Sequence, residues 1–197
     1  EWVDAVVGSF DFVVAKIDSN GTLVWGWQHG SEGYEIALDG VVRSDGSVFF
    51  LGYTTGGWKG SVIDEFDFAG ALLSADGNEL WRWQGGSAEL ETSHACTMGV
   101  DGSIYLAAYT RGDFAGNSSA GGADLAAVKL DNDGNEIWRW QEGTEGDDLV
   151  RWVTVAEDGS MILTGMTEGS WGSTNAGGSD VIVAKLQNNG TVSWRWQ

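Results

Sequence analysis

Apolar and polar residues alternate with period two in short runs along this chain, and no window of eleven or more residues carries a 3.6-residue apolar stripe. That pattern predicts β-strands and disfavours helix. Four kinds of run follow one another in a fixed order. The first alternates, as in ALDGVV or RWVTVA, and ends at Asp45-Gly46-Ser47, Asp101-Gly102-Ser103 or Asp158-Gly159-Ser160. The second is VFFLGYT, IYLAAYT or MILTGMT. A long Gly/Ser-rich loop leads to the third, DFVVAKI, DFAGALL, DLAAVKL or DVIVAKL, which is apolar on both faces. A second turn (SNGT, ADGN, NDGN, NNGT) leads to a fourth, Trp-rich run. Asp-Gly and Asn-Gly supply positive φ at little cost, so both turns predict tight antiparallel hairpins.

The runs recur with one period. Trp25, Trp81, Trp138 and Trp194 are spaced by 56, 57 and 56 residues, and Asp11, Asp67, Asp124 and Asp180 keep the same spacing. Two independent markers in step define an internal repeat. The full units span residues 29–84, 85–141 and 142–197. Residues 1–28 hold a partial unit, its last two strands preceded by a leader, EWVDAVV, that fits one more strand. Four short strands per unit, stacked by repetition, predict an all-β fold of β-propeller type with four-stranded antiparallel blades every 56–57 residues. A parallel β-solenoid and a β-sandwich are the rival architectures. Within the fourth run, Trp81 and Trp83 lie two apart on one face with Arg82 opposite. Trp138-Arg139-Trp140 and Trp194-Arg195-Trp196 repeat this, and Gly26 replaces the Arg in the first unit. Such regular rings are expected to fill the space between blades, each burying ~150–250 Å². Lys16, Lys129 and Lys185 also recur, with Leu72 breaking the series.

Composition narrows the function classes. The 31 glycines show no Gly-x-y period, which excludes collagen, and with no proline at all the turning falls to Gly, Asn, Asp and Ser. A net charge of -19 opposes binding to nucleic acid and to anionic membrane surfaces, and no apolar run is long enough for a membrane-inserted helix. One cysteine, Cys96, allows no intrachain disulfide and reads as a small buried residue. No basic-then-apolar signal segment opens the chain.

The repeat resembles the SBBP-type β-propeller repeats. The resemblance rests on Gly121-Gly122-Ala123-Asp124 through Lys129, on Gly177-Gly178-Ser179-Asp180 through Lys185, on Tyr105 to Thr110 and on Gly52-Tyr53-Thr54. It covers nearly the whole chain after about residue 8. It departs in lacking proline, in having Ile63-Asp64-Glu65-Phe66 where other units carry Ala-Gly-Gly, and in its blade count. The resemblance implies extracellular or cell-surface modules of large proteins. Three and a half units fall short of an ordinary ring of 4–8 blades. The expectation is therefore a segment of a longer protein or one subunit of a ring-sharing assembly, with four-bladed closure as the alternative.

Candidate chemistry is sparse. Trp58, Phe114 and Trp171 occupy matched places in the long loops, where they could stack on sugars or anchor a protein, or fold back over the blade. Asp131, Asp133 and Asn135 resemble the start of a calcium loop but lack the twelfth-position Glu, so calcium is a secondary expectation beside a plain Asx turn. The acidic group Glu142, Glu145, Asp147 and Asp148 reads either as a cation-gathering cluster or as a solvated face. Asp11, Asp67, Asp124 and Asp180 are expected to accept backbone N–H bonds at the strand start. Asn20, Asn117 and Asn189 head Asn-x-Ser/Thr sequons. His29 and His94 have no metal-spaced partner, and no nucleophile elbow or phosphate loop is present. The leading expectation is a non-catalytic extracellular module for structure or protein–protein assembly, whose partner is a protein or further blades. A carbohydrate-binding propeller is the alternative.

Overall fold

Strands form where the alternation predicts them. The computed structural model describes residues 6–60, 66–116 and 118–197, and among these it contains strands and turns but no helix. An N-terminal hairpin pairs β1 (Phe12–Ile17) with β2 (Leu23–His29). The first full sheet holds β3 (Glu35–Val42), β4 (Val48–Thr54), β5 (Asp67–Leu73) and β6 (Glu79–Gly85). The second holds β7 (Glu91–Met98), β8 (Ile104–Thr110), β9 (Asp124–Leu130) and β10 (Glu136–Glu142). The third holds β11 (Asp148–Val155), β12 (Met161–Thr167), β13 (Asp180–Leu186) and β14 (Val192–Trp196). Each full sheet is an antiparallel meander in chain order. Of the expected leader strand, Glu1–Ala5 lie outside the described residues, and Val6 and Val7 belong to no strand. Ile63, Asp64 and Glu65 also lie outside them.

Both hairpin turns rely on glycine. Gly46, Gly102 and Gly159 close the first turn, and Gly21, Gly77, Gly134 and Gly190 the second, all with φ between 76 and 84°. A side chain is strained in that region. Each first strand carries one extra residue, since the register against the second strand slips between Ala37 and Asp39, Ser93 and Ala95, and Val150 and Trp152. The skipped residues are Leu38, His94 and Arg151. A bulge frees its extra residue from the ladder, and His94 there lies against the Tyr109 ring at 5.4 Å.

The sheets stack through their first strands, β3 against β7 and β7 against β11. Between the first and second sheets lie Phe49, Leu51, Phe68 and Leu72 from one and Ile104, Leu106, Val128 and Leu130 from the other. Ala107, Leu125 and Ala127 meet Val153, Leu163, Ile182 and Leu186 at the next junction. Phe12 of the hairpin meets Phe50, Ala69 and Ala71. Each large side chain so buried is worth ~1.5–3 kcal/mol. Strands β5 and β9 are buried along their whole length because a neighbour covers each face. Cys96 sits within this packing, and burial pushes its thiol pKa up, which disfavours the reactive thiolate.

The recurrent Trp residues lock one sheet to the next. The Nε1–H groups of Trp25, Trp81 and Trp138 donate to the carbonyls of Ala75, Asn132 and Asn188 at 2.9 Å, each in the second turn of the following sheet. The same rings lie over Gly77, Gly134 and Gly190, where an added Cβ would come within 2.7, 2.7 and 2.9 Å of indole carbon. Gly21 has the same φ but nothing within 4 Å of such a Cβ. Gly134→Ala therefore bears both backbone strain and a clash, whereas Gly21→Ala bears strain of roughly 1–2 kcal/mol alone. Thermal melts should show the larger loss for Gly134→Ala; equal losses would mean that the indole contact contributes nothing.

Candidate interaction surface

The long loop between the second and third strands of each sheet is pinned from below. Gln141 of β10 donates from Nε2 to Gly112 O at 2.9 Å and to Asp124 Oδ2 at 2.8 Å, while its Oε1 accepts from the Phe114 and Ala115 amides. Gln84 makes the equivalent bonds to Gly56, Asp67 and the Lys59 amide. Gln197 makes them to Gly169, Asp180 and the Trp171 amide, and Gln28 bonds Asp11. Asp11, Asp124 and Asp180 also accept the amide of the residue four positions earlier, from Val7, Ala120 and Ala176. These aspartates fasten the loop where it enters the third strand. The glutamines recur at 56, 57 and 56 residues, so the interval that revealed the Trp and Asp series marks them too.

A second acidic series faces the first. Glu35, Glu91 and Asp148 open the first strands, fully or almost fully buried. Their amides bond the carbonyls of Phe10, Phe66 and Ala123, just before the recurrent Asp of the preceding unit. Glu91 accepts from Thr110 Oγ1 at 2.7 Å and from the Ser87 hydroxyl and amide. Asp148 accepts from the Thr144 amide and hydroxyl. Burial raises the pKa of Glu91 and of Asp148, and the charge of Asp67 or Asp124 nearby raises each further. Oδ1 of Asp124 and Oδ1 of Asp148 accept no hydrogen bond. The turn aspartates behave oppositely. The Thr22 amide holds the pKa of Asp18 down, and the hydroxyls of Ser47 and Ser160 do so for Asp45 and Asp158.

The loop aromatics do not reach outward. Trp58, Phe114 and Trp171 are 2, 3 and 2% exposed. Each is roofed by the arginine of a fourth strand, with Arg82, Arg139 and Arg195 at 4.2, 4.5 and 5.4 Å from the ring centres. Arg82 and Arg139 also bond the carbonyls of Trp58 and Phe114. Of the two expectations for these rings, the structure places them folded back, with their faces taken up by packing and by guanidinium in a cation–π arrangement.

The remaining candidates separate. Asp131 closes its own turn, accepting from the amides of Asp133 and Asn135 and from the Asn135 side chain. Among the described residues no three His, Cys, Asp or Glu side chains form a metal-holding group. Of the acidic group, Glu142 pairs with Arg195, Asp147 with Arg111 at 3.4 Å, and Asp148 is buried in the junction described above. Asn20 and Asn189 lie exposed in turns, and Asn117 lies outside the described residues. Among the described residues no helix is long and apolar enough to cross a membrane.

What is presented instead is two uncovered sheet faces. On the third sheet, Val181, Trp152 and Trp196 are 63, 62 and 59% exposed, and Trp194 is also exposed. The residues that match Val181 in the earlier units, Phe12, Phe68 and Leu125, are buried. On the hairpin, Val13, Ala15 and Ile17 are exposed, although their counterparts Ala69, Ala71 and Leu73 are fully buried. The partial blade count already pointed to unfinished interfaces; which residues of otherwise equivalent positions stay bare is visible only in the structure. No family model matches the chain, and no curated protein sequence matches it.

Two outcomes follow from the junction chemistry. Gln141→Leu strips a buried carboxylate and the Gly112 carbonyl of a donor and two loop amides of their shared acceptor, and should cost about 2–3 kcal/mol in urea unfolding; a neutral substitution would show that the loop is held by other means. Glu91 and Asp148 take up protons more readily folded than unfolded, so stability rises as pH falls from neutral towards the ordinary carboxylate value of ~4. Below that value the contribution of Asp18, Asp45 and Asp158 is lost, so the melting temperature should peak in mild acid. A melting temperature falling steadily from pH 7 to 5 would contradict this.

Proposed function

We propose that this chain is a non-catalytic module of propeller-type blades, serving structure or protein–protein assembly by offering sheet faces to further blades. One observation carries the reading: the third sheet exposes Val181, Trp194 and Trp196 at positions that earlier units cover with a following sheet. Sheets joined through their first strands support a fan of blades, as the resemblance to SBBP-type repeats implies. The extracellular or cell-surface setting belongs to the same resemblance. The buried acids, which a hydrolase reading would recruit, are engaged with Gln, Ser and Thr partners inside the junctions. Glycan binding by loop aromatics loses its support once Trp58, Phe114 and Trp171 lie beneath side chains.

Appending a copy of residues 142–197 after Gln197 tests this. With 5-fluorotryptophan incorporated, the ¹⁹F signal of Trp194, identified by Trp194→Phe, should lose its sensitivity to a soluble quencher as the new unit covers it. A signal that stays solvent-exposed would refute docking of blades on this face.

A further inference from the structure

From the way each Trp seats on the following unit, we infer that the chain associates head to tail with a second copy of itself, Trp194 of one copy seating on the Asp18–Gly21 turn of the other. The inference rests on the blade-docking reading and names the partner.

The internal junctions define what the contact requires. A fourth-strand indole lies over a turn glycine at positive φ and donates to the carbonyl two residues before it, and this is repeated three times. The fourth ring of the series, Trp194, seats on no turn among the described residues and is 46% exposed. In the glycine series, Gly21 likewise carries no ring among the described residues, at φ 82° with nothing within 4 Å of a Cβ. The carbonyl two residues before it belongs to Ser19, the counterpart of Ala75, Asn132 and Asn188.

The flanking surfaces match in the same manner. At the internal junctions, the large residues of one sheet meet the small and aliphatic residues on the third strand of the next, as Phe12 meets Ala69 and Ala71. The exposed large residues Val181, Trp194 and Trp196 are of the first kind, and exposed Val13, Ala15 and Ile17 are of the second. A single chain therefore bears both halves of an interface that it already builds three times internally. The hairpin supplies only the outer two strands of a blade, so the new junction is the outer part of an internal one. A contact between two different patches closes into a ring if the rotation permits.

The charge of -19 on each copy opposes the association, so the mass is measured in about 0.5 M salt, where screening acts well within ~8 Å. Light scattering on wild type should give a two-copy mass. Trp194→Ala and Ala15→Arg alter exposed side chains on opposite faces, and each should weaken association by roughly thirtyfold, as loss of an interface anchor does. Near-UV circular dichroism confirms that each variant is folded. An equimolar mixture of the two variants retains one intact contact, between Trp194 of the Ala15→Arg chain and the hairpin of the Trp194→Ala chain, and should recover a two-copy species. A single-copy mass for wild type, association unmoved by either substitution, or a mixture that stays single would each overturn the inference. If the appended unit nevertheless covers Trp194, blades dock on this face and only the choice of a second copy fails.

Discussion

A four-stranded sheet that is apolar on both faces cannot stand alone in water. Strands β5 and β9 are buried on both sides, and each depends on the sheets before and after it. Covering a face with a copy of the same unit meets this demand, at the cost of leaving a bare face at each end of the stack. Stability, interfaces and the proposed function of this molecule all descend from that requirement.

Apolar burial favours stacking but does not fix register, because flat faces can slide. Directional contacts supply the register. The indole-to-carbonyl bonds hold the rims of neighbouring sheets in step, and the amides of Glu35, Glu91 and Asp148 tie each first strand to the unit before it. Gln and Asp at the junctions do the same for the long loops. Facing carboxylates add some repulsion at neutral pH, which Thr and Ser hydroxyls offset. The polar clasp thus specifies where one sheet meets the next, while the apolar faces supply the driving force.

The second and third strands were legible residue by residue, since VFFLGYT, IYLAAYT, MILTGMT, DFAGALL and DLAAVKL all form strands with those bounds. The turns were legible because Asp-Gly and Asn-Gly act locally. The loop aromatics were not. Trp58 and Trp171 stand in Gly/Ser-rich polar stretches that resemble exposed binding loops, and Gln84, Gln197, Arg82 and Arg195, 24 to 26 residues further on, help to hold them inward. The bulges at Leu38, His94 and Arg151 were likewise hidden, because a register slip depends on the partner strand.

Period, strand order, turn positions and the antiparallel pairing of neighbours were set by the sequence alone, since each depends on residues close together in the chain. The tertiary structure decided which of several equivalent residues is covered. Val181 repeats the position of Phe68 and Leu125, yet it is exposed where they are buried. Burial depends on what lies opposite a face, and equivalent residues of a repeat do not carry that difference in their own identity.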